Sequence, residues 1–347
     1  MIGKYKPRSG GPSSQACQFA LKIFVFAVVA MVLIHIYLKS SAMALKAIHG
    51  PSTTEQISES FSNALSRKYD CLILGNSRIY RGVNPDVLWC SAYNFSHDND
   101  SFNQDYFKLI YLEQHGVTYK YLVLGVDYFE FSFLASSRNN IYGRYFGKDY
   151  LKDFHDSLND RFNTFMALKF TQPFPETANY WYHRALGESL TNGSYLKPNG
   201  QFIAAYRKSK EWWRDVAKRD GGRLPIEEAY FENVLIFARQ HNTPLVLVMP
   251  PTRADELKSY DAKTIAEFDN IFSTMARQYG GEYLNYSHSL EFVLNDYMDA
   301  THLDPQAADR FSVMLSKDAS ATIANANSRG GEGWKKMSMT VGAGSVR

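Results

Sequence analysis

Ser77, Asp299 and His302 have the residue types and spacing of a hydrolytic triad. Ser77 follows the apolar run 70–75, Asp-Cys-Leu-Ile-Leu-Gly, which predicts a buried strand that ends in a glycine turn at the carboxyl edge of a sheet. Asp299 stands three residues before His302, so its carboxylate can accept the Nδ1–H and leave Nε2 to take a proton from a serine hydroxyl. The pattern predicts Ser77 as the nucleophile, His302 as the general base and Asp299 as the residue that orients it.

Each half of the pattern also has a structural interpretation. Asn76 and Ser77 are both good N-cap residues, so they could simply cap a helix that begins beyond them. In the catalytic interpretation, the free N–H groups of that helix would favour an oxyanion. Asp299 or Asp304 could cap the last helix and leave His302 exposed. The two halves together are much more specific for a serine triad than either half alone.

Short apolar runs alternate with segments of helical spacing, which indicates an α/β fold with a parallel sheet covered on both faces. The predicted strands are 70–75, 92–95, 121–126, 244–249 and 282–285. The predicted helices are 105–114, 226–240, 255–279 and one that begins near Pro305. The alternation breaks down at about 128–224, where we expect a largely helical insertion over the sheet edge. Its aromatic side chains either stack on sugars or pack in a core: Tyr180, Trp181, Tyr182, Trp212 and Trp213.

The net charge of +3 hides an uneven distribution. Residues 1–50 hold six basic and no acidic side chains, whereas residues 51–320 carry a net charge of −6. An acidic body lacks the electrostatic footprint of a nucleic-acid-binding protein, so we expect no nucleic-acid partner.

The apolar segment 19–38 is long enough to cross a bilayer. We expect an uncleaved anchor, with residues 1–18 as a cytoplasmic basic segment. The alternative is a signal peptide that is cleaved near Ala42-Met43-Ala44. Lys39, which lies between the apolar segment and that site, argues against cleavage. Both interpretations place the body outside the cytoplasm, and the anchor implies a protein that crosses an inner or plasma membrane once. We further expect a stalk with a short helix at 39–65, the α/β domain at 66–318 and a disordered tail at 319–347.

The serine after the first strand and the Asp-x-x-His before the last helix resemble the SGNH/GDSL hydrolase superfamily over roughly residues 66–318, excluding the insertion. The apolar segment and the line Leu-Gly-Asn-Ser-Arg-Ile-Tyr-Arg-Gly-Val-Asn-Pro at 74–85 look like its membrane-anchored branch, which includes the DltD, AlgJ and AlgX proteins.

The resemblance implies a three-layer fold and serine-dependent transfer of an acyl group, expected to be acetyl, to a cell-envelope or exported polysaccharide. The implied partners are this polysaccharide acceptor, the membrane and a multi-pass membrane acyltransferase, with no cofactor and no metal. Two alternatives stay open: a carbohydrate esterase that removes acyl groups, and a non-catalytic polymer-binding or assembly factor that keeps the fold.

The oxyanion and substrate candidates are Asn76, Arg78, Asn99 and Asp127. The asparagine that the family carries after its third strand corresponds here to Asp127, whose ionised carboxylate would repel an oxyanion. We therefore expect either that Asp127 has another role, such as holding Arg78 or Arg81, or that backbone N–H groups stabilise the oxyanion.

Cysteine and histidine residues outside the triad add two open points. Cys71 and Cys90 could form a disulfide in an oxidising compartment, or could equally be buried thiols. His97 and His155 lack the spacing of a metal motif, so we expect them to be solvated or structural.

Overall fold

A computed structural model describes residues 14–50, 52–136, 138–154, 173–187, 194–204 and 223–328. The helices are α1 (Ser14–His49), α2 (Thr53–Ser66), α3 (Ser77–Gly82), α4 (Phe102–Gln114), α5 (Asn139–Phe146), α6 (Lys148–Leu151), α7 (Pro173–Ala185), α8 (Pro225–Gln240), α9 (Ala254–Leu257), α10 (Ala262–Gln278) and α11 (Pro305–Ser328). The strands are β1 (Cys71–Leu74), β2 (Ala92–Asn94), β3 (Tyr121–Gly125), β4 (Tyr195–Leu196), β5 (Phe202–Ile203), β6 (Leu245–Met249) and β7 (Glu282–Asn285).

The chain divides into two compact units, one built from 1–50 and 156–192 and the other from 51–155 and 193–347. In the first unit, α1 is long and apolar enough to cross a membrane, a criterion that a signal sequence also meets. Its apolar side chains are exposed, with Phe19 at 66% and Leu33 at 61%. The helix is longer than the predicted segment 19–38, and beyond that segment the Trp181 Nε1–H of α7 donates to the Ser40 hydroxyl at 2.6 Å.

The second unit contains a parallel sheet with the strand order β2-β1-β3-β6-β7. The chain adds β2 on one side of β1 and the later strands on the other side, so the direction of winding reverses between β1 and β3. In an open α/β sheet, ligand sites form at the carboxyl ends of the strands beside such a reversal.

Helices cover both faces of this sheet because the strand side chains alternate in direction. Leu72, Leu124 and Leu247 pack with α2, α4, α8 and α10 in one core, whereas Ile73 and Val123 pack with α3 and α11 in a second core. The predicted α/β fold with a parallel sheet is therefore confirmed.

The segment 39–65, predicted as a stalk with a short helix, contains a helix that packs into the folded body. Ser52 and Glu55 form a capping box that starts α2: the Glu55 N–H donates to Ser52 Oγ at 3.3 Å, and the Ser52 N–H donates to Glu55 Oε2 at 2.9 Å. Ile57 and Phe61, four residues apart on this helix, are buried in the first core. This segment is therefore part of the folded body.

The predicted disordered tail begins too early. The last helix continues to Ser328, and Ala319 and Ile323 extend the buried face that Phe311 and Leu315 begin at intervals of four residues. Residues 329–347 lie outside the described residues.

Two further differences concern helix continuity and the insertion. The predicted helix 255–279 is two helices, because Asp261 caps a new start by accepting from the Thr264 N–H at 2.6 Å. The described parts of the insertion contain α5, α6 and α7, and also the antiparallel pair β4–β5 that was not predicted. His155, Trp212 and Trp213 lie outside the described residues.

Cys71 of β1 and Cys90, just before β2, form a disulfide with their Cα atoms 6.1 Å apart, within the usual range. The bond ties the central strand to the segment that leads into its neighbour. The sequence left open whether these cysteines form a disulfide or are buried thiols, and the structure has the disulfide.

Candidate active site

Ser77, His302 and Asp299 form one hydrogen-bonded chain. The Asp299 Oδ2 atom accepts the Nδ1–H of His302 at 2.8 Å, which leaves Nε2 to accept the Ser77 hydroxyl proton at an Oγ–Nε2 distance of 2.8 Å. The His302 and Asp299 side chains are 14% and 18% exposed, so the triad is shielded but reachable from solvent. This geometry can activate a serine oxygen as a nucleophile.

A glycine turn sets the position of the nucleophile. Gly75 follows β1 with a φ of 141°, a conformation that side-chain-bearing residues rarely adopt. A Cβ atom at this position would lie 3.0 Å from Ile79 Cγ1 and 3.2 Å from Gly125 Cα. The close contact with β3 and the sharp turn both require glycine, and they place Ser77 at the first position of α3.

The acid and the base lie on a short loop closed by its own backbone. Tyr297 and Leu303 form an antiparallel bridge, and the Met298 N–H donates to the His302 carbonyl at 2.9 Å. This closure brings Asp299 beside the His302 ring. Asp304 caps α11 instead, by accepting from the Ala307 N–H at 2.8 Å, so capping does not occupy the triad carboxylate.

The Asp299 carboxylate is held ionised by its surroundings. Partial burial disfavours its charge, but the hydrogen bond from His302 outweighs burial, and the backbone N–H groups of Thr301 and His302 each donate to Oδ1 at 2.8 Å. The pKa of Asp299 is therefore well below its ordinary value. An ionised Asp299 fixes the His302 tautomer that leaves Nε2 free as a base.

Asn76 caps α3 and does not point into the site. Its Oδ1 accepts from the Arg78 N–H at 2.9 Å, and its Nδ2 donates to Glu130 Oε2 at 3.2 Å. Its carbonyl accepts the N–H groups of Ile79 and Tyr80. Within the described residues, Ser77 is the one residue at the start of α3 whose N–H group has no acceptor. The N–H groups that follow it already donate to Asn76, so they are not free to bind an oxyanion.

Arg78 and Asp127 form a buried ion pair beside the nucleophile. The Nη1–Oδ2 distance is 2.6 Å, and the two side chains are 2% and 0% exposed. Arg78 Nη2 also donates to the Pro251 carbonyl at 2.6 Å and to Thr252 Oγ1 at 2.8 Å. One guanidinium thus joins α3 to the loops that follow β3 and β6, and the predicted role of Asp127 in holding Arg78 is confirmed.

The other predicted arginine partner and Asn99 lie elsewhere. Arg81 makes a bidentate pair with Asp98, with Nε–Oδ1 and Nη2–Oδ2 distances of 2.9 and 2.6 Å. Asn99 is exposed in the turn after β2 with a φ of 59°, and no recorded contact joins it to the triad in the described part of the chain.

His97 is buried beside Tyr142, whose hydroxyl lies 2.9 Å from Nδ1. Burial, and then the nearby Lys108 ammonium, lower the pKa of His97 to about 4. Across the described ranges, no group of three His, Cys, Asp or Glu residues is arranged to hold a metal ion.

Sequence reasoning missed two side chains that support the acid loop. The buried Arg253, four residues after β6, donates from Nη1 to the Asp299 carbonyl at 3.0 Å and pairs with Asp255. The Thr301 hydroxyl lies 3.1 Å from His302 Nδ1 and 3.3 Å from Asp299 Oδ1. An arginine in the loop that follows a predicted strand is a usable signal for Arg253, whereas nothing in the sequence distinguishes Thr301.

The β4–β5 pair brings the insertion close to the triad. Phe202 stacks on Tyr80 with ring centroids 5.5 Å apart, and both belong to a small core with Met298, the residue before Asp299. Gly200 makes this approach feasible, because a Cβ there would lie 1.9 Å from the Asn94 carbonyl oxygen. The hairpin therefore packs against both the nucleophile helix and the acid loop.

Comparison with known proteins gives no relative: the chain matches no protein-family model, no curated protein and no solved structure.

Proposed function

We propose that this protein is an extracytoplasmic serine-dependent O-acyltransferase of the SGNH type, which transfers an acyl group, acetyl in the first instance, to a hydroxyl of a cell-envelope or exported polysaccharide. The observation that carries the proposal is the hydrogen-bonded chain from Ser77 through His302 to Asp299. The nucleophile follows the first strand of the sheet and the Asp-x-x-His loop precedes the last helix, which is the chain order of the family that the sequence resembles.

The geometry supports a two-step reaction. Ser77 Oγ attacks the carbonyl carbon of an acyl donor while His302 Nε2 takes the hydroxyl proton, and the same proton then passes to the leaving group as the carbonyl–oxygen bond breaks. The acceptor hydroxyl next attacks the acyl-Ser77 ester, His302 takes its proton, and Ser77 leaves with that proton restored. Proton transfer by a positioned base of this kind contributes roughly 10²–10⁴ in rate.

The Arg78–Asp127 pair removes the objection that Asp127 raised. An unpaired carboxylate beside the nucleophile would disfavour the negative charge that develops on an acyl oxygen. Here the guanidinium of Arg78 lies 2.6 Å from the Asp127 carboxylate, so the pair carries no net charge. This pairing favours a catalytic role over a non-catalytic assembly role.

Two features support an extracytoplasmic body. The Cys71–Cys90 disulfide is of a kind that persists in oxidising compartments. The basic residues before the apolar helix orient such a segment with its N-terminus in the cytoplasm. The membrane, a polysaccharide acceptor and a multi-pass membrane acyltransferase that supplies acyl groups are the partners this function requires.

The nucleophile is tested with wild type, Ser77→Ala and Ser62→Ala in detergent, with p-nitrophenyl acetate as donor. Ser62 is exposed on α2 and serves as the matched serine-to-alanine control. We expect Ser77→Ala to lose ester cleavage and Ser62→Ala to retain it; equal cleavage by all three proteins would refute the nucleophile. A polysaccharide is then added to the reaction. An acetylated polysaccharide, with less free acetate released, indicates transfer, whereas release of free acetate alone indicates an esterase.

A further inference from the structure

Glu130 lies directly behind the nucleophile turn, in a short helical turn that follows β3 (Glu130–Ser132). Its side chain is fully buried, and Oε2 accepts a hydrogen bond from Asn76 Nδ2 at 3.2 Å. Asn76 in turn caps the helix that begins with Ser77. One side chain therefore separates Glu130 from the residue that carries the nucleophile.

The surroundings of Glu130 are acidic. The carboxyl groups that face it come from the loop after β2, from α4, from the loop after β3 and from α8: Asp100, Asp105, Asp127 and Glu227. The nearby cations are already paired, Arg78 with Asp127 and Lys108 with Asp100. Glu130 Oε1 has no hydrogen-bond partner among the described residues.

A carboxylate in this position would be buried without a cation to compensate its charge. Burial, and then the charges of Asp105 and Asp127, raise the pKa of Glu130 well above its ordinary value. Burial likewise raises the pKa of Asp105, to about 8. Burial and the facing carboxyl groups thus favour the neutral form of the Glu130 side chain.

We propose that Glu130 is a positioning residue for Ser77, which acts through Asn76 as a neutral carboxyl group and ceases to do so when it ionises. The proposal rests on the proposed function of Ser77 as a nucleophile. An ionised Glu130 would repel Asp127 and compete with it for Arg78, which would displace the turn that holds Ser77. It would also place a negative charge behind the acyl oxygen that becomes anionic during attack.

The activity test compares wild type, Glu130→Gln, Glu130→Ala and Glu227→Gln across pH 6 to 10. We expect the kcat of wild type to fall at alkaline pH, as Glu130 ionises. Glutamine keeps an acceptor for Asn76 and cannot ionise, so we expect Glu130→Gln to retain kcat within about threefold at pH 7 and not to show this alkaline fall. Alanine removes the contact, so kcat falls by about tenfold or more with little change in KM.

Glu227→Gln is the matched control, because Glu227 is also fully buried but hydrogen-bonds to Ser101 and not to Asn76. We expect this variant to keep the alkaline fall in kcat. An alkaline fall that persists in Glu130→Gln, or that disappears in Glu227→Gln instead, overturns the proposal. If Glu130→Ala does not fold, the comparison between Glu130→Gln and Glu227→Gln decides by itself.

A second readout is independent of activity. A glutamate with a raised folded-state pKa contributes stability that is complete below its unfolded-state pKa of about 4.3 and is lost as the pH rises through the folded-state value. The melting temperature of Glu130→Gln relative to wild type must therefore rise from pH 5 to pH 8, whereas that of the exposed control Glu59→Gln must not.

The two readouts separate the proposal from the function on which it rests. If wild type cleaves no ester while the melting-temperature difference rises as expected, the proposed function fails and the neutral state of Glu130 stands. A difference that stays constant with pH refutes the neutral state, whatever the activity.

Discussion

Asp127→Asn separates two accounts of the site because they predict opposite results. If position 127 supplies an oxyanion-hole donor, as the family's asparagine does, then asparagine should accelerate ester cleavage. If Asp127 instead holds Arg78, as the 2.6 Å ion pair indicates, asparagine should slow cleavage and weaken the fold. We expect the second outcome.

The magnitude follows from the burial of the pair. Both side chains are almost completely inaccessible, so the substitution leaves the Arg78 charge buried without its counter-ion. Removing one partner of a buried pair typically costs about 3–5 kcal/mol. For a domain of this size each kcal/mol lowers the melting temperature by about 2–4 °C, so a fall of roughly 6–20 °C is expected. Displacement of Arg78 also moves the adjacent Ser77, and we expect kcat to fall by about tenfold.

The assay combines thermal unfolding with p-nitrophenyl acetate cleavage for wild type, Asp127→Asn and the double variant Arg78→Met/Asp127→Asn. The double variant has no unpaired charge, so we expect its melting temperature to lie above that of the single variant even though it lacks more hydrogen bonds. An Asp127→Asn protein with an unchanged melting temperature and faster ester cleavage would refute this account.

Two further predictions concern the acid of the triad and the disulfide. Asp299→Asn should lower kcat by roughly 10³–10⁴, because an amide can donate to Nδ1 and stabilise the wrong His302 tautomer; steady-state ester cleavage measures this, and retained activity would exclude Asp299 from the triad. Replacing both Cys71 and Cys90 by alanine opens a loop of sequence separation 19 and should cost about 3 kcal/mol. Guanidinium unfolding measures that loss, and equal stability of the variant and the oxidised wild type would contradict it.

The sheet was predictable because its strands are short apolar runs whose ends are marked by glycine, proline or polar residues. All five predicted strands occur within one residue of their expected bounds, from Cys71–Leu74 to Glu282–Asn285. Ser77 and the Asp299–His302 pair were predictable for a related reason. Each is a local pattern: Ser77 comes just after a predicted strand, at the carboxyl edge where a parallel sheet forms its sites, and Asp299 stands three residues before His302.

The polar contacts around the triad were not predictable in the same way. Arg78 bonds to Asp127, 49 positions away, and to the Pro251 carbonyl, 173 positions away. Several acidic side chains compete as partners for any arginine, and the choice depends on which loops meet at the sheet edge. The sequence offered Arg78 and Arg81 as equivalent partners for Asp127, and the structure distinguishes them: the fully buried Arg78 pairs with Asp127, whereas Arg81 is partly buried and pairs with Asp98.

The errors at both ends of the body have a common physical cause. Segments 39–65 and 319–328 are rich in small and polar residues, which average composition associates with linkers and tails. A helix needs only one apolar residue per turn on one face to pack, and Ile57, Phe61, Ala319 and Ile323 supply it. The spacing of the apolar residues therefore indicates that these helices pack against the body, whereas the overall composition of the segments does not.

The loop that follows β6 connects the two halves of the catalytic machinery. On one side its Pro251 carbonyl and Thr252 hydroxyl accept from Arg78, the residue after the nucleophile; on the other side its Arg253 donates to the carbonyl of Asp299. Pro250 and Pro251 fix two backbone φ angles at the start of this loop, which limits its conformations before any contact is made. The loop contributes no triad residue, but it holds Arg78 beside Ser77 and Asp299 beside His302. The distance between Ser77 and His302 therefore depends on this loop.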